Sequence, residues 1–231
     1  MPQYLADIKQ SEFFLNDAEA HHACVVARHK EGDFVYVFDG KGKQFKGRIE
    51  KIGKKFVRGS LLEPCPVQRP PLELTLAFVP NSRTGLEEVL DKGTQLGVHT
   101  FLPLVSARSE YDILKKYDGK NDRWHQIMIS ACKQCNTPFI PTILPPVKFA
   151  QALQDNGPAL LAYEAEKAHT LAWGTAQLKN PHSLRVYVGP AGGWTPQEVA
   201  LACARGILPV TLGVNILRAE TACLAVAAKL L

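Results

Sequence analysis

The chain has 231 residues, of which 46% are apolar, and its formal net charge is +5 at neutral pH. This length suits one large domain, or a medium domain with a small one. No apolar run approaches the roughly 20 residues that span a bilayer. The first residues, MPQYLADIKQSEFF, also lack the apolar core of a signal peptide. We therefore expect a cytoplasmic protein without a membrane partner.

Six cysteines in a chain of this kind are expected to be thiols in a reducing compartment. Cys132 and Cys135 have CxxC spacing. A zinc site needs a second ligand pair, and a redox CxxC normally follows a strand, whereas this one ends a helical pattern. The sequence therefore favours structural cysteines and predicts no metal site.

The chain begins with a small β-rich unit. A short helix is predicted over NDAEAHHACVV, with Asn16 as its N-cap and Glu19 in a capping box. Strands are predicted over Phe34–Phe38, Gln44–Ile52 and 55–62, and the DGKG turn joins the first two as a hairpin. This pattern is typical of a small barrel.

The positive charge is concentrated in this unit. Eight basic residues face a single acid, Glu50, in one short segment: Lys41, Lys43, Lys46, Arg48, Lys51, Lys54, Lys55 and Arg58. Such clustering supplies sequence-independent affinity for phosphates, and Phe45 and Phe56 lie among the cations. An RNA-binding barrel would have this pattern, and so would any small barrel with a lysine-rich exterior.

A proline-rich stretch, EPCPVQRPPLE, predicts a stiff connection that separates residues 1–68 from residues 72–231. Beyond it, strands and helices alternate. Strands are predicted over 72–79, 100–106, 159–164, 184–190 and 207–213, and helices over 83–97, 121–135, 195–206 and 218–231. The alternation indicates a mostly parallel sheet covered on both faces. Ligands in such sheets bind beyond the carboxyl ends of the strands.

A rigid glycine loop, GPAGGW, follows one of these strands directly. Thr195, Pro196 and Glu198 then predict a firmly capped helix. The spacing is neither GxGxxG nor a phosphate-binding P-loop, so the loop need not hold a phosphate. Its backbone can equally bind an adenine edge or a carboxylate. A purely structural turn is the alternative.

Three more loops follow predicted strands and carry charged residues. LGVNILRAETA contains Arg218 and Glu220, LAYEAEK contains Glu164, and LVSARSE contains Arg108 and Ser109. Acids are common in the first turn of a helix, so Glu220 has an ordinary explanation, whereas Arg218 is less expected there. Arg108 could meet a phosphate or a developing oxyanion. Without the other loops it would be interpreted as a surface arginine.

Together these segments resemble one family. LDKGTQLGV, PLVSARSE, GPAGGWTPQE and LGVNILRAETA occur in the order found in the RsmE-type methyltransferases, and HHACVVARHKEGDFVYVFDGKG resembles the N-terminal region of that family. The resemblance implies methylation of N3 of a uridine in bacterial 16S rRNA of the small ribosomal subunit. It implies an α/β domain of the SPOUT class with a trefoil knot, an exception to unthreaded topology, and a PUA-like β-barrel. It also implies bound S-adenosyl-L-methionine and a homodimer.

The resemblance also assigns residues to the cofactor site. The cofactor would be bound by Leu161, Ala162, Tyr163, Glu164, Val188, Gly189, Pro190, Gly192, Gly193, Leu212, Gly213, Ile216, Leu217 and Arg218. The chemistry of N3 methylation makes Arg108 and Arg218 the catalytic candidates for stabilising anionic charge, and Glu220 a weaker candidate base. The resemblance assigns RNA contact to Arg28, and the charge clustering adds Lys41, Lys43, Lys46 and Arg48.

Some positions depart from the family pattern. Ala191 and Lys133 each stand where the family usually has glutamate, and Thr137 stands where it usually has arginine. Ser82 and Gly85, with Arg83 nearby, stand where a lysine and an arginine are usual. Two alternatives therefore stay open. One is another SPOUT enzyme, such as a ribose 2′-O-methyltransferase, and the other is an RNA-binding homologue with weakened catalysis. A dinucleotide dehydrogenase is disfavoured, because GxGxxG and its acidic ribose partner are missing.

Overall fold

A computed structural model of the protein describes residues 3–117 and 122–231. The chain divides into two compact units. The first contains Met1–Arg69 and Ile129–Ile140, and the second contains Pro70–Met128 and Pro141–Leu231. The first unit therefore includes a segment that lies far along the chain from the rest of it.

The first unit is a curled six-stranded sheet. Its strands are β1 (Gln3–Leu5), β2 (Asp7–Lys9), β3 (Glu12–Leu15), β4 (Phe34–Phe38), β5 (Gln44–Ile52) and β6 (Val57–Pro64), in the order β1-β4-β5-β6-β3-β2. All neighbours are antiparallel except β1 and β4. Its core includes the fully buried Tyr4, Phe13, Val35, Val37 and Val57. The predicted bounds of β4 and β5 are confirmed, β6 lies two residues later than predicted, and β1 to β3 were not predicted.

One short helix connects β3 to the following loop. Helix α1 (Asp17–His21) begins at the predicted N-cap, with the Asn16 side chain accepting from the Glu19 N–H at 3.5 Å. The predicted capping box is not formed, because the Glu19 carboxylate pairs with Lys133 instead. A π-helical turn, His22–Val26, extends it. Arg28 then adopts a left-handed backbone with a φ of +58°. A positive φ is uncommon for a residue other than glycine, and here the chain changes direction at an arginine.

The segment 129–140 completes the first unit. Lys133 Nζ lies 2.9 Å from each carboxylate oxygen of Glu19, and the two side chains are only 19% and 12% exposed. Gln44 Nε2 donates to Asn136 Oδ1 at 3.2 Å. Lys133, one of the departures from the family pattern, therefore neutralises a nearly buried acid.

The cysteines of this segment have structural surroundings. Burial raises the pKa of the Cys132 thiol to about 12, so it stays protonated at neutral pH and is a poor nucleophile. Its Sγ donates to the Phe139 carbonyl at 3.3 Å. Across residues 3–117 and 122–231, no disulfide joins any cysteines.

The second unit is built on a parallel sheet of seven strands. They are β7 (Glu73–Phe78), β8 (Thr100–Val105), β9 (Thr142–Ile143), β10 (Val147–Lys148), β11 (Ala159–Ala162), β12 (Ser183–Val188) and β13 (Leu208–Val210). Their order is β10-β8-β7-β12-β11-β13, with β9 also paired to β8. The expected parallel sheet is confirmed. The strands β9 and β10 have two residues each, too few for a periodic signal.

Helices cover this sheet. They are α2 (Arg83–Gln95), α3 (Ile113–Lys116), α4 (Asp122–Cys135, which passes into the first unit after Met128), α5 (Phe149–Ala152), α6 (Leu171–Gln177), α7 (Pro196–Cys203) and α8 (Ala219–Leu230). Ser82, another departure, caps α2 by accepting from the Gly85 N–H at 3.0 Å. The chain forms the edge strand β13 and then returns, so that α8 packs on α2 and β7 near the middle of the sheet.

Candidate active site

The carboxyl ends of three neighbouring strands form a cleft in the second unit. Strands β12, β11 and β13 lie side by side and parallel, so the loops that follow them meet at one edge. The cleft has a volume of about 270 Å³. Its lining residues are Ala162, Tyr163, Glu164, Lys167, Val188, Gly189, Pro190, Ala191, Gly192, Gly193, Thr211, Leu212, Gly213, Asn215, Ile216, Leu217, Ala219 and Ala222. Eight of these residues are glycine or alanine, so much of the lining has no side chain beyond Cβ.

The glycine loop after β12 is held rigidly. Its last glycine, Gly193, has a φ of +67°, and a Cβ there would clash with the Glu164 carboxylate. Trp194, which follows it, is buried and donates from Nε1 to the Ala162 carbonyl at 3.1 Å. The helix α7 begins with the predicted capping box between Thr195 and Glu198. The loop is therefore fixed at its end by Trp194 and the capping box, and the positive φ favours glycine at position 193.

Two other segments support the same loop. Asn81 Oδ1 accepts from the Ala191 N–H at 3.1 Å, and Arg108 Nη1 donates to the Gly192 carbonyl at 2.8 Å. The Ala107 N–H donates to Glu198 Oε1 at 2.8 Å. Both partners of the loop, Asn81 and Arg108, stand just beyond strands of the same sheet, β7 and β8. The loop conformation therefore depends on backbone groups at Ala191 and Gly192.

The loop that follows β13 exposes apolar side chains to solvent. Val214 is 95% exposed and Ile216 is 81% exposed. The turn is closed by Thr211, whose Oγ1 accepts from the Gly213 N–H at 3.2 Å, and Lys229 Nζ donates to the Leu212 carbonyl at 3.1 Å. Exposed aliphatic groups beside a polar cleft suit contact with an aromatic or aliphatic part of a ligand.

The cleft brings together nearly all residues that the sequence assigned to a cofactor. Leu161 and Arg218 do not line it. The Leu161 side chain is fully buried in the core of the sheet, and Arg218 is exposed at the N-cap of α8. The sequence missed Lys167, Thr211, Asn215, Ala219 and Ala222, which line the cleft from the flanks of the assigned loops. Their only signal was proximity to those loops along the chain.

The three candidate catalytic residues have different surroundings. Arg108 is exposed but tied to the glycine loop. Arg218 forms no salt bridge within residues 3–117 and 122–231. Glu220 does not line the cleft: its side chain lies beside the start of α2, where a Cβ on Gly85 would be 2.6 Å from Glu220 Oε1. Its position favours a contact between α2 and α8 over proton transfer.

The basic face of the first unit lies on β5, on the turn that precedes it and at Arg28. Arg28, Lys41, Lys43 and Arg48 are exposed, whereas Lys46 is half-buried. Lys46 Nζ lies 3.3 Å from Glu63 Oε1 and 5.4 Å from the centre of the Phe34 ring.

Of the two aromatic residues expected among the cations, Phe56 is 43% exposed and Phe45 is half-buried. Phe45, which the sequence placed among the cations, packs against the core. Phe34 is instead 44% exposed and stands opposite Arg48 on the neighbouring strand. Side chains alternate between the two faces of β5. Phe45 therefore lies on the same face as Gly47 and Ile49, which are buried.

Two further properties bear on the class of function. Among the described residues, no group of histidine, cysteine, aspartate and glutamate side chains is placed to hold a metal ion. None of the helices in these ranges is long and apolar enough to cross a membrane.

Comparison with known proteins identifies the family. A model of the RNA methyltransferase domain matches residues 68–231, and a model of the RNA methyltransferase PUA domain matches residues 15–62. The ribosomal RNA small subunit methyltransferase E of Synechocystis is 33% identical over 213 residues, which cover 90% of this chain and 69% of that protein. The enzyme of the same name from Bacillus subtilis is 30% identical over 219 residues, 91% of this chain and 86% of its own length. The chain belongs to the ribosomal RNA small subunit methyltransferase E family.

A solved structure of this family agrees with the fold. The ribosomal RNA small subunit methyltransferase E of Neisseria gonorrhoeae, bound to S-adenosyl methionine, is 30% identical, with a TM-score of 0.87 over 99% of this chain and 96% of that one. The resemblance drawn from the sequence is confirmed, and so is the fold class: a SPOUT α/β domain with a PUA-like, curled N-terminal sheet.

Proposed function

We propose that this chain transfers a methyl group from S-adenosyl-L-methionine to N3 of a uridine in 16S rRNA of the small ribosomal subunit. The observation that carries the proposal is the glycine-lined cleft at three adjacent strand ends, in a chain of the methyltransferase E family. The family name and the S-adenosyl methionine bound by the Neisseria gonorrhoeae member supply the chemistry.

The residues of the cleft fit this cofactor. The glycine loop offers backbone groups without side chains, and Gly193 leaves space beside Glu164 that a Cβ would fill. A carboxylate next to backbone donors suits a ligand with an amino group and hydroxyls. Leu212, Ile216 and Leu217 line the cleft and suit an adenine ring. Ala191 fits as well, because the loop contributes its backbone at that position.

When bound, S-adenosyl-L-methionine supplies an electrophilic sulfonium methyl group, which moves to N3 as the sulfur–methyl bond breaks. The chain must favour the uracil anion, because the N3 lone pair is delocalised and the N3 proton has to leave. Arg108, held at the glycine loop, and the exposed Arg218 are the candidates for stabilising charge on the uracil oxygens. Water accepts the proton in this scheme. Glu220, which lies beside α2, is a weaker candidate for accepting this proton.

The two units divide the work in this proposal. Residues 1–68, with the basic residues Arg28, Lys41, Lys43, Lys46 and Arg48, hold the flanking RNA backbone by charge. Residues 72–231 hold the cofactor and the target base, which must be turned out of its stack to be reached. A homodimer and a cytoplasmic location are parts of the same proposal and rest on the family resemblance.

The test is methylation of small ribosomal subunits by the purified protein with labelled S-adenosyl-L-methionine, followed by nucleoside analysis. We expect 3-methyluridine at one site, unaffected by a metal chelator. A 2′-O-methylated nucleoside would replace the proposal with a ribose methyltransferase. Cofactor binding below detection by calorimetry, with RNA binding retained, would replace it with an RNA-binding homologue. Lys133 does not favour that last outcome, since it has a structural partner in Glu19.

A further inference from the structure

A second cavity lies in the second unit, apart from the glycine-lined cleft. Its volume is about 490 Å³. The start of α2, the segment around α3 and the start of α4 form its wall. The side chains that matter for recognition are Arg83, Tyr111, Lys116, Tyr117, Arg123 and Trp124. Three cations and three aromatic rings in one concave surface form a combination that suits neither a packed core nor an ordinary solvated face.

The aromatic rings are ordered by contacts with one another and with a cation. The Tyr117 and Trp124 rings stack with their centres 5.6 Å apart and an angle of 12° between the planes. Lys116 Nζ lies 4.4 Å from the centre of the Tyr111 ring. Flat, partly exposed rings beside a cation are the usual platform for an unpaired nucleic-acid base.

The two guanidinium groups are positioned by one carboxylate. Arg83 Nε lies 3.0 Å from Glu87 Oε1, and Arg123 donates to both Glu87 oxygens at 2.5 and 2.7 Å. These arginines lower the pKa of Glu87 to about 2, with Arg123 the larger cause, so the carboxylate stays ionised at any physiological pH. With Lys116 the cations outnumber Glu87 and Asp122, and the cavity carries a net positive charge. An anionic ligand is therefore favoured.

Short stretches of chain connect this cavity to the glycine loop. Asn81, which accepts from the Ala191 N–H, stands two residues before Arg83. Arg108, which donates to the Gly192 carbonyl, stands three residues before Tyr111. Consecutive Cα atoms are about 3.8 Å apart, so these pairs are separated by at most about 8 and 11 Å. A nucleotide neighbouring the target base in one RNA strand spans such a distance.

We propose that this cavity binds a nucleotide of single-stranded RNA next to the methylated uridine, with the base on Tyr117 and Trp124 and a phosphate on Lys116 and Arg83. The inference rests on the proposed function and adds a subsite to it. The ligand is recognised by its π-face and its negative charge. The cavity therefore holds the strand in register with the cleft, and the residues named here position the substrate without touching the transferred methyl group.

Trp124 makes the binding directly observable. The other tryptophans are distinguishable: Trp194 is buried, and Trp173 packs against His169 with ring centres 3.9 Å apart. We expect a short oligouridylate to quench the fluorescence of the wild-type protein, and the quenching to be absent in Trp124→Phe, which keeps an aromatic ring. Quenching that persists in Trp124→Phe would overturn the proposal.

A charge-matched pair of variants tests the phosphate contact. Lys116→Glu should weaken oligouridylate binding about tenfold and flatten its salt dependence, as loss of a phosphate contact does. Lys115→Glu is the control, because Lys115 is the exposed neighbour that pairs with Asp112 outside the cavity. Equal effects of the two variants would overturn the proposal.

Methylation of small subunits separates this inference from the proposed function. With the inference correct, Lys116→Glu raises KM for the subunit about tenfold at unchanged affinity for S-adenosyl-L-methionine. A wild-type protein that methylates, with Lys116→Glu and Trp124→Phe equally active at every substrate concentration, overturns the subsite and leaves the function standing. A wild-type protein that does not methylate, but shows Trp124-dependent quenching, overturns the function and leaves the subsite standing.

Discussion

The basic face of the first unit and the cleft of the second unit present different parts of the chain to their proposed ligands. The face consists of long charged side chains on β5, on the turn before it and at Arg28, whereas eight of the residues that line the cleft are glycine or alanine. Charged side chains recognise a polyanion wherever they stand on a surface, and each contributes separately. Backbone groups recognise one ligand, because their positions are fixed by the fold.

The difference teaches what each surface tolerates. Exchange of one cation on the face removes one phosphate contact, and the other cations remain. An added Cβ in the cleft would meet the Glu164 carboxylate at Gly193, where φ is also positive, and the Trp194 ring at Gly189. We therefore expect conservative changes in the cleft to be more harmful than radical changes on the face, and the following variants test that expectation.

The largest effect is expected for Gly193→Ala. The residue has a φ of +67°, and the added Cβ would meet the Glu164 carboxylate. Backbone strain of about 1–3 kcal/mol and displacement of Glu164 should weaken S-adenosyl-L-methionine binding by about tenfold to a hundredfold in calorimetry. Gly206→Ala is the matched control, since Gly206 has a φ of +76° with no atom within 4 Å of the added Cβ. An equal loss of S-adenosyl-L-methionine binding in both variants would show that the effect comes from lower stability alone.

The next largest effect is expected for Lys133→Ala. This variant tests a cation with a structural role, in contrast to the cations of the basic face. Removal leaves Glu19 as a nearly buried charge without its partner, 2.9 Å away in the native protein. We expect about 2 kcal/mol less stability of the first unit in denaturant unfolding. The double variant Glu19→Gln with Lys133→Met should recover part of this loss. A double variant as unstable as Lys133→Ala would show that the ion pair is not the cause.

A smaller effect is expected for Lys43→Glu combined with Lys46→Glu on the basic face. Charge reversal should weaken RNA binding about tenfold at physiological salt and reduce its salt dependence. Affinity for S-adenosyl-L-methionine should be unchanged. Lys46 also pairs with Glu63 at 3.3 Å, so the double variant loses this ion pair as well. Lys43→Glu alone leaves the ion pair intact and tests the RNA contact by itself. Lys148→Glu on the other sheet is the charge-matched control for Lys43→Glu alone, and a comparable loss of RNA binding in it would attribute the effect to net charge.

The smallest effect is expected for Ala191→Glu, which restores the glutamate usual in the family. Ala191 is exposed and contributes its N–H, which donates to Asn81 at 3.1 Å. A surface charge is worth at most about 1 kcal/mol, so we expect cofactor affinity to change by less than about fivefold. Asn81→Ala should cost more, because it removes the acceptor that holds the loop. Sharply tighter binding by Ala191→Glu would show that the missing side chain matters after all.

Much of this fold follows from local signals in the sequence. The bounds of β4 and β5 and the capping box of α7 were predictable, because alternation, turn residues and caps are properties of neighbouring residues. The cleft followed for the same reason: glycine loops after parallel strands meet at one edge of a sheet. The strands β1 to β3 have three or four residues each, which is too short for periodicity to identify them.

Contacts between distant parts of the chain were not predictable. Pairing of Lys133 with Glu19 joins residues 114 positions apart, and neither residue type specifies its partner. The second cavity could not be predicted for a similar reason, since Arg83, Tyr111 and Trp124 come from three separate segments. Phe34 and Phe45 could have been told apart, because the alternation of β5 places Phe45 on the inward side together with Gly47 and Ile49.

The segment 129–140 also sets an order of events during synthesis. Gly42 N–H donates to the Pro138 carbonyl at 3.1 Å, and Ile140 N–H donates to the Gly40 carbonyl at 2.9 Å, so the turn between β4 and β5 is supported by residues made much later. Domains made first usually fold first on the ribosome. Here these contacts cannot form until Ile140 has been made, and a nascent chain halted before residue 129 carries Glu19 without its cation. The protein's earliest part is therefore among the last to be completed.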